Sequence, residues 1–252
     1  MTRLPVLLSL FVCASFAPAI HAEVMFRSGP APVALIELYT SEGCSSCPPA
    51  EKWLGERSGD AGLWKTFVPV AFHVNYWDHL GWRDALASKA FTDREHAYAA
   101  AWNAPSVYTP CFVRNGSEWR PGDRMPSAPR DAADAGTLSV KWIAATNTCE
   151  LEYSPGRSEE AGRSLEVSVA LLGGGIVSNV RKGENAGREL RHEFVALRLE
   201  RSAMKRDAAG GWSAVVSLPP RAEIAAQRHG LAAWVTPRGQ LAPLQSAGGW
   251  LE

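Results

Sequence analysis

Two cysteines, Cys44 and Cys47, stand two residues apart, directly after an apolar run and directly before a helical pattern. A C-x-x-C pair between a strand and a helix is typical of thiol–disulfide exchange, and it can also hold a metal ion. The attacking sulfur must be a thiolate, and a helix N-terminus lowers a cysteine pKa through its free N–H groups and its dipole. We therefore predict that Cys44 is an exposed nucleophile and that Cys47 is the partly buried resolving thiol.

A Thr109-Pro110 pair begins a later strand pattern and is the first candidate for substrate contact. In this order of elements we expect a cis peptide bond that faces the dithiol, with Thr109 and Pro110 shaping a groove for an extended peptide. Trp77 and Trp82 flank a polar loop and can form an apolar rim for the same substrate. Core packing is the alternative for the aromatic side chains.

A polar loop follows the strand that ends near His73. His73, Asn75, Asp78 and His79 can gather near the dithiol, either as a proton relay or as metal ligands. In a metal-delivery protein the copper or zinc ligands would be Cys44, Cys47 and His73. The alternative is that His73 and Asp78 hydrogen-bond to each other and only hold the loop in place.

Cleavage of an N-terminal leader would remove Cys13. Apart from the C-x-x-C pair, Cys111 and Cys149 then remain. One hypothesis joins them in a disulfide, which would stabilise the fold by about 4 kcal/mol in the chain-entropy model. The other is that Cys111, next to Pro110, supports the dithiol in a relay.

In the first half of the chain, predicted strands alternate with predicted helices; in the second half, only strands are predicted. Near the dithiol the patterns predict strands over residues 33–39 and 66–76 and helices over residues 49–57 and 93–102. A hairpin around Asn115-Gly116 follows, and beyond Gly136 short runs alternate with period two. The predicted fold class is an α/β thioredoxin-like domain (residues 30–135), with a mixed sheet and helices on both faces. A β-sandwich-like all-β domain (residues 136–252) follows it.

The N-terminus and the overall charge limit location and partners. A basic start, an apolar run and small residues up to Ala22 predict a signal peptide over residues 1–22, so the mature protein is expected to be secreted or periplasmic. After cleavage no membrane-spanning segment is expected. Lys and Arg together number 26, as do Asp and Glu, so no net field favours nucleic acid as a partner.

Four stretches, in order along the chain, resemble the secreted thioredoxin-like bacterial family known as domain of unknown function 1223. They are Glu37 to Ala50, His73 to Trp82, Ser106 to Pro110, and Gly183 to Gly187. The resemblance implies a thioredoxin-like domain followed by a β-rich domain, and it implies little about substrate. This chain has Cys111 where a glutamine-like residue is expected. The stretch from Gly183 to Gly187 predicts a long turn that can dock against the first domain.

The predicted function is a thiol–disulfide oxidoreductase that needs no cofactor and acts on a protein or small-molecule thiol or disulfide. Cys44 and Cys47 are its predicted catalytic residues, and His73, Asp78 and Cys111 support them. Two alternatives stay open: a metal-binding or metal-delivery protein, and a secreted binding module whose C-x-x-C is a structural disulfide.

Overall fold

The computed structural model describes residues 23–122, 134–156, 163–220 and 224–251. Strands make up 44% of these residues and helices 14%. The predicted signal peptide, residues 1–22, lies outside the described residues.

Fifteen strands and two α-helices are present in these ranges. The strands are β1 (Glu23–Arg27), β2 (Ala34–Thr40), β3 (Phe67–His73), β4 (Cys111–Arg114), β5 (Ser117–Trp119), β6 (Thr137–Ile143), β7 (Thr148–Ser154), β8 (Leu165–Gly174), β9 (Ile176–Asn179), β10 (Glu189–His192), β11 (Val195–Ala203), β12 (Lys205–Arg206), β13 (Trp212–Ser217), β14 (Arg228–Pro237) and β15 (Gln245–Trp250). The helices are α1 (Cys47–Gly55) and α2 (Lys89–Ala101), with short 3-10 turns at Glu56–Gly59 and Asp78–Leu80.

The largest sheet has eight strands in the order β15-β14-β8-β11-β3-β2-β4-β5. β2 and β3 are parallel, and so are β3 and β11, whereas the other neighbours are antiparallel. Every residue of β2 and β3 is buried, as expected for central strands that are covered on both faces. β11 joins β3 only at its start, where the Ala71 amide donates to the Phe194 carbonyl over 2.8 Å.

A second, antiparallel sheet has five strands in the order β1-β6-β7-β13-β12. Buried residues alternate with more exposed ones along β6 and β7, because successive side chains of a strand point to opposite faces. The buried face contributes Leu151 to a core cluster that also holds Val169, Leu197 and Leu231 of the eight-stranded sheet. A separate hairpin pairs β9 with β10.

The two helices pack where β2 and β3 run side by side. Leu54 of α1 belongs to the core cluster of Ile36 and Leu38, whereas Phe91 and Tyr98 of α2 belong to the cluster of Leu35 and Tyr39. Two prolines are tolerated in the first turn of α1 because its first amides have no intrahelical partner. The start of α2 lies at the end of β3, since the amide of its N-cap residue Ser88 donates to the His73 carbonyl over 3.1 Å.

The predicted fold class is wrong. The described residues are mostly β, with only two α-helices, and a thioredoxin-like α/β domain with helices on both faces does not describe them. The error has a physical cause: β8, β11, β14 and β15 extend the sheet of β2 and β3, and such pairing between distant residues leaves no local pattern in a sequence. The division into domains at residue 135 stays a prediction.

Candidate functional site

Cys44 and Cys47 are joined in a disulfide at the start of α1, with their Cα atoms 5.4 Å apart. The Cys47 amide donates to the Cys44 carbonyl over 3.2 Å, which closes a tight turn into the helix. Both cysteines are fully buried, whereas Ser45 and Ser46 between them are exposed. The prediction of an exposed Cys44 is therefore wrong, because the turn points the two serines outward and the sulfurs inward.

Thr109 and Pro110 lie against the disulfide. Their peptide bond is cis, as predicted, and the Thr109 carbonyl oxygen lies 3.8 Å from Cys44 Sγ. The Trp77 indole N–H donates to Thr109 Oγ1 over 2.8 Å. A Cβ atom on Gly43 would lie 2.9 Å from the Trp77 Cβ, so only glycine allows this approach next to Cys44. The structure thus brings four predicted site residues together: Cys44, Thr109, Pro110 and Trp77.

Trp82 contacts a different part of the site. Its indole N–H donates to Glu42 Oε2 over 2.6 Å, and Glu42 is a buried residue two positions before Cys44. Both tryptophans are half-buried, and each uses its N–H to hold a segment beside the disulfide. Whether they also contact a substrate stays a prediction.

His73 is buried and bonds to a carboxylate, but the carboxylate belongs to Asp84 and not to Asp78. His73 Nδ1 donates to Asp84 Oδ2 over 2.7 Å, and the same oxygen accepts from the Glu42 amide over 2.9 Å. Asp78 instead accepts from the Asp84 amide over 3.1 Å. Asp84 therefore connects His73 to the segment that carries the disulfide.

A second histidine, His192 of β10, was not predicted for the site. Its ring lies 5.1 Å from that of His73, centroid to centroid. His192 Nδ1 bonds to Glu51 Oε2, and Glu51 Oε1 accepts from the Thr40 hydroxyl over 2.6 Å. Glu51 follows Cys47 by four positions, so both lie on one face of α1; that spacing is the one sequence signal for this part of the site.

Glu42, Glu51, His73, Asp84 and His192 form what we call the buried histidine–carboxylate cluster. Burial lowers the pKa of His192, but Glu51 and Glu42 outweigh burial and raise this pKa to about 10. Burial likewise lowers the pKa of His73, and Asp84 raises it above its usual value. Burial raises the pKa values of Glu51 and Asp84, but their histidine partners bring both below the usual range. Opposite charges thus stabilise each other within the cluster.

The turn between β9 and β10 closes over the disulfide segment. The Asn185 side-chain amide donates to the carbonyls of Glu42 and Cys44, at 2.9 Å each. Glu184 Oε2 accepts from the Ser45 amide over 2.9 Å, and hydrogen bonding from the Ser45 side chain and then from its amide lowers the pKa of Glu184. Positive φ angles at Gly183 and Gly187 bracket the turn, a backbone geometry that glycine adopts without strain. The predicted docking of this turn is confirmed.

Other predicted residues form hydrogen bonds with groups other than the disulfide. Asn75 pairs with Thr92, and His79 is exposed, with Nδ1 donating to the Tyr76 carbonyl. Cys111 is a free, buried thiol whose pKa burial raises to about 12.

The hypothesis of a Cys111–Cys149 disulfide is wrong, because Cys149 is also free and buried. It lies on β7 of the five-stranded sheet, whereas Cys111 lies on β4 of the eight-stranded sheet. The predicted metal ligands Cys44 and Cys47 are bonded to each other instead. No helix within the described ranges is long and apolar enough to cross a membrane.

The fold and the site together define a mostly β protein with a disulfide at a helix N-terminus. Buried histidines and carboxylates are hydrogen-bonded to the segments around this disulfide. The chain belongs to the family described as protein of unknown function (DUF1223), whose pattern it matches over residues 35–236. The family inferred from the sequence motifs is thereby confirmed, whereas its description as secreted and thioredoxin-like is not. No curated protein is significantly similar to the chain.

Two solved structures share the fold. The crystal structure of protein AGR_C_4864 from Agrobacterium tumefaciens is 24% identical, with 86% of this chain and 94% of that chain covered and a TM-score of 0.56. The structure described as HBP35 of Porphyromonas gingivalis is 14% identical, with 88% and 76% covered and a TM-score of 0.61. At these identities the similarity concerns the fold alone.

Proposed function

We propose that this protein is a thiol–disulfide oxidoreductase that uses the Cys44–Cys47 pair. One observation carries the proposal: the disulfide lies at the N-terminus of α1, with the Thr109 carbonyl 3.8 Å from Cys44 Sγ. A helix N-terminus stabilises the thiolate that exchange requires. A backbone carbonyl next to the sulfur can accept an N–H from an extended substrate segment.

The exchange proceeds through a mixed disulfide. A thiolate of the partner attacks Cys44 Sγ, the Cys44–Cys47 bond breaks, and Cys47 leaves as a thiolate. A second thiolate of the partner then attacks the partner's own sulfur in the mixed disulfide and releases Cys44. The partner loses two electrons and this protein gains them; the reverse sequence reduces a partner disulfide. The potential of the partner sets the direction.

Burial of Cys44 means that the partner must displace part of what covers the disulfide. Ser45 and Ser46 are the exposed residues at this point. A groove of about 780 Å³ runs beside α1 and is lined in part by Pro48, Lys52 and Arg191, so a partner segment has a place along the helix that follows the disulfide. We propose a protein or a small-molecule thiol or disulfide as the partner, and a secreted or periplasmic location, on the basis of the signal-peptide pattern over residues 1–22.

The test measures the reduction potential of the Cys44–Cys47 pair and the turnover of a disulfide substrate such as insulin. We expect a potential above about −300 mV, since disulfides that only stabilise a fold have lower potentials. Cys44→Ser should abolish turnover, and Cys47→Ser should accumulate a mixed disulfide through Cys44.

Cys149→Ser is the matched control, because Cys149 is a buried free thiol far along the chain from the disulfide. Its turnover should equal that of the unmodified protein. A potential well below about −300 mV together with no turnover would show that the disulfide is structural, as in the binding-module alternative.

A further inference from the structure

Three side chains of the buried histidine–carboxylate cluster have the arrangement of metal ligands. Glu51, His73 and His192 each offer one ligand atom, and these atoms all lie within 4.8 Å of one another. The residues come from α1, β3 and β10 and are 8%, 0% and 1% exposed. Two imidazole nitrogens and a carboxylate oxygen that converge from three elements are a common set of protein ligands for transition metals.

The hydrogen bonds leave ring nitrogens available inside the cluster. His73 Nδ1 donates to Asp84, and among the described residues its buried Nε2 has no hydrogen-bond partner. His192 Nδ1 bonds to Glu51, and its Nε2 lies 3.4 Å from Glu42 Oε1, longer than a normal N–H···O bond. A histidine that ligates a metal through one nitrogen usually holds a carboxylate with the other. His73 shows this pattern, and its unpaired Nε2 would gain a partner.

The charge of the cluster also favours a cation. Glu42, Glu51 and Asp84 are three buried carboxylates, and only two imidazoles lie among them. Buried carboxylates require compensating positive charge. One divalent cation supplies as much charge as two imidazolium protons, so the site can hold the metal ion in place of the protons.

We propose that Glu51, His73 and His192 bind one divalent transition-metal ion while the Cys44–Cys47 disulfide is closed. His73 contributes Nε2, since Asp84 occupies its Nδ1. The mixed nitrogen and oxygen set suits Zn²⁺, Fe²⁺ or Co²⁺, whereas Ca²⁺ and Mg²⁺ prefer oxygen ligands alone. This site shares only His73 with the ligand set that the sequence predicted. It does not depend on thiol–disulfide exchange by Cys44 and Cys47.

Zinc content of the refolded protein tests the proposal. The full protein, with its disulfide intact, is unfolded in denaturant with a chelator and refolded with equimolar Zn²⁺, because the buried site is open to metal only when the chain opens. We expect about one Zn²⁺ per chain after gel filtration and a thermal midpoint higher than that of the zinc-free protein. Co²⁺ in place of Zn²⁺ should give visible absorption bands from nitrogen and oxygen ligation.

Substitutions then locate the metal. Asp84→Asn should weaken zinc binding about 10–100-fold, because it removes the carboxylate that orients His73, and His73→Ala should weaken it further. Glu51→Gln keeps the side-chain shape and should also weaken binding, so it serves if the alanine variant does not fold. His79→Ala is the matched control, because His79 is an exposed histidine on the same loop. It should bind zinc like the unmodified protein.

Three results would overturn the proposal: no zinc in the refolded disulfide form, zinc that Glu51→Gln and His73→Ala both retain, or zinc that binds only after the disulfide is reduced. The last result would move the metal to the two sulfurs. Failure here is distinct from failure of the proposed exchange activity, because the reduction potential is measured on metal-free protein and the zinc content on the disulfide form.

Discussion

Buried acidic side chains of this protein differ in how their charge is compensated. Glu51 and Asp84 each have a histidine partner. Glu95 of α2 is also buried, but among the described residues neither of its carboxylate oxygens has a hydrogen bond of good geometry. Burial raises the pKa of Glu95 to about 7, although the nearby Tyr76 hydroxyl works against the rise. Ionised Glu95 therefore lowers the free energy of unfolding, whereas the carboxylates of the cluster are compensated by their histidine partners.

This destabilisation predicts that Glu95→Gln stabilises the fold at high pH. The folded-state pKa lies above the usual value of 4.5, so wild-type stability falls as pH rises from about 4.5 to about 7, where the folded carboxyl ionises. At pH 8 we expect the variant to be more stable by about 3 kcal/mol, and at pH 4.5 by much less. Denaturant unfolding of both proteins at the two pH values measures the difference.

Asp93→Asn is the matched control for this prediction. Asp93 lies on the same helix but is exposed, where it pairs with Lys89. Exposed ion pairs contribute about 1 kcal/mol or less, so its effect should be small at both pH values. An advantage of Glu95→Gln that is equal at pH 4.5 and pH 8 would show that Glu95 carries no perturbed pKa.

At the scale of single residues, local patterns predicted the disulfide residues and the cis bond before Pro110, because both signals lie within a few positions. Asp84 was missed as the partner of His73 because Asp78 lies nearer in sequence and has the same chemistry. His192 lies 141 positions from Glu51, and no pattern in the sequence links two residues so far apart. The parts of the site that sequence could not predict are those that long-range packing assembles.

At the scale of elements, the β9–β10 turn is hydrogen-bonded to the segment that carries the disulfide. Asn185 is fully buried and satisfies the carbonyls of Glu42 and Cys44 with one amide group. The disulfide segment cannot move outward while these two bonds hold. Opening of the turn is therefore the motion that would expose Cys44 to a partner.

Asn185→Ala is accordingly expected to speed reduction of the disulfide. The variant removes the Asn185 donor from the Glu42 carbonyl and leaves the Cys44 carbonyl with the Cys47 amide as its donor, at a cost of about 1–3 kcal/mol, so the open form becomes more populated. A shift of about 2 kcal/mol would raise the rate of reduction by a phosphine about 30-fold, if opening limits access. Mass spectrometry of quenched samples measures the rate.

Asn179→Ala provides the comparison, because Asn179 is an exposed asparagine of the same hairpin. Its disulfide should be reduced at the rate of the unmodified protein. Equal rates for Asn185→Ala and the unmodified protein would mean that the turn does not limit access to Cys44.

At the scale of the whole molecule, residues from both predicted domains share one sheet and belong to the same buried clusters. The Ala71 amide donates to the Phe194 carbonyl where β3 meets β11. Leu35 and Trp234, which lie far apart in sequence, belong to the same buried cluster. The sequence predicted most of these strands as local segments, but their order in the sheet depends on contacts between segments that do not adjoin in sequence.

Shared packing of this kind predicts that the molecule unfolds in a single transition. Cys111 and Cys149 report on it, because one lies in the eight-stranded sheet and the other in the five-stranded sheet, and both thiols are buried with pKa values raised to about 12. Pulse alkylation with N-ethylmaleimide across a urea series, followed by peptide mapping, gives a midpoint for each thiol. We expect the two midpoints to coincide, because loss of either sheet exposes the core cluster that both sheets share. Two separate midpoints would contradict this and would support independent domains divided near residue 135.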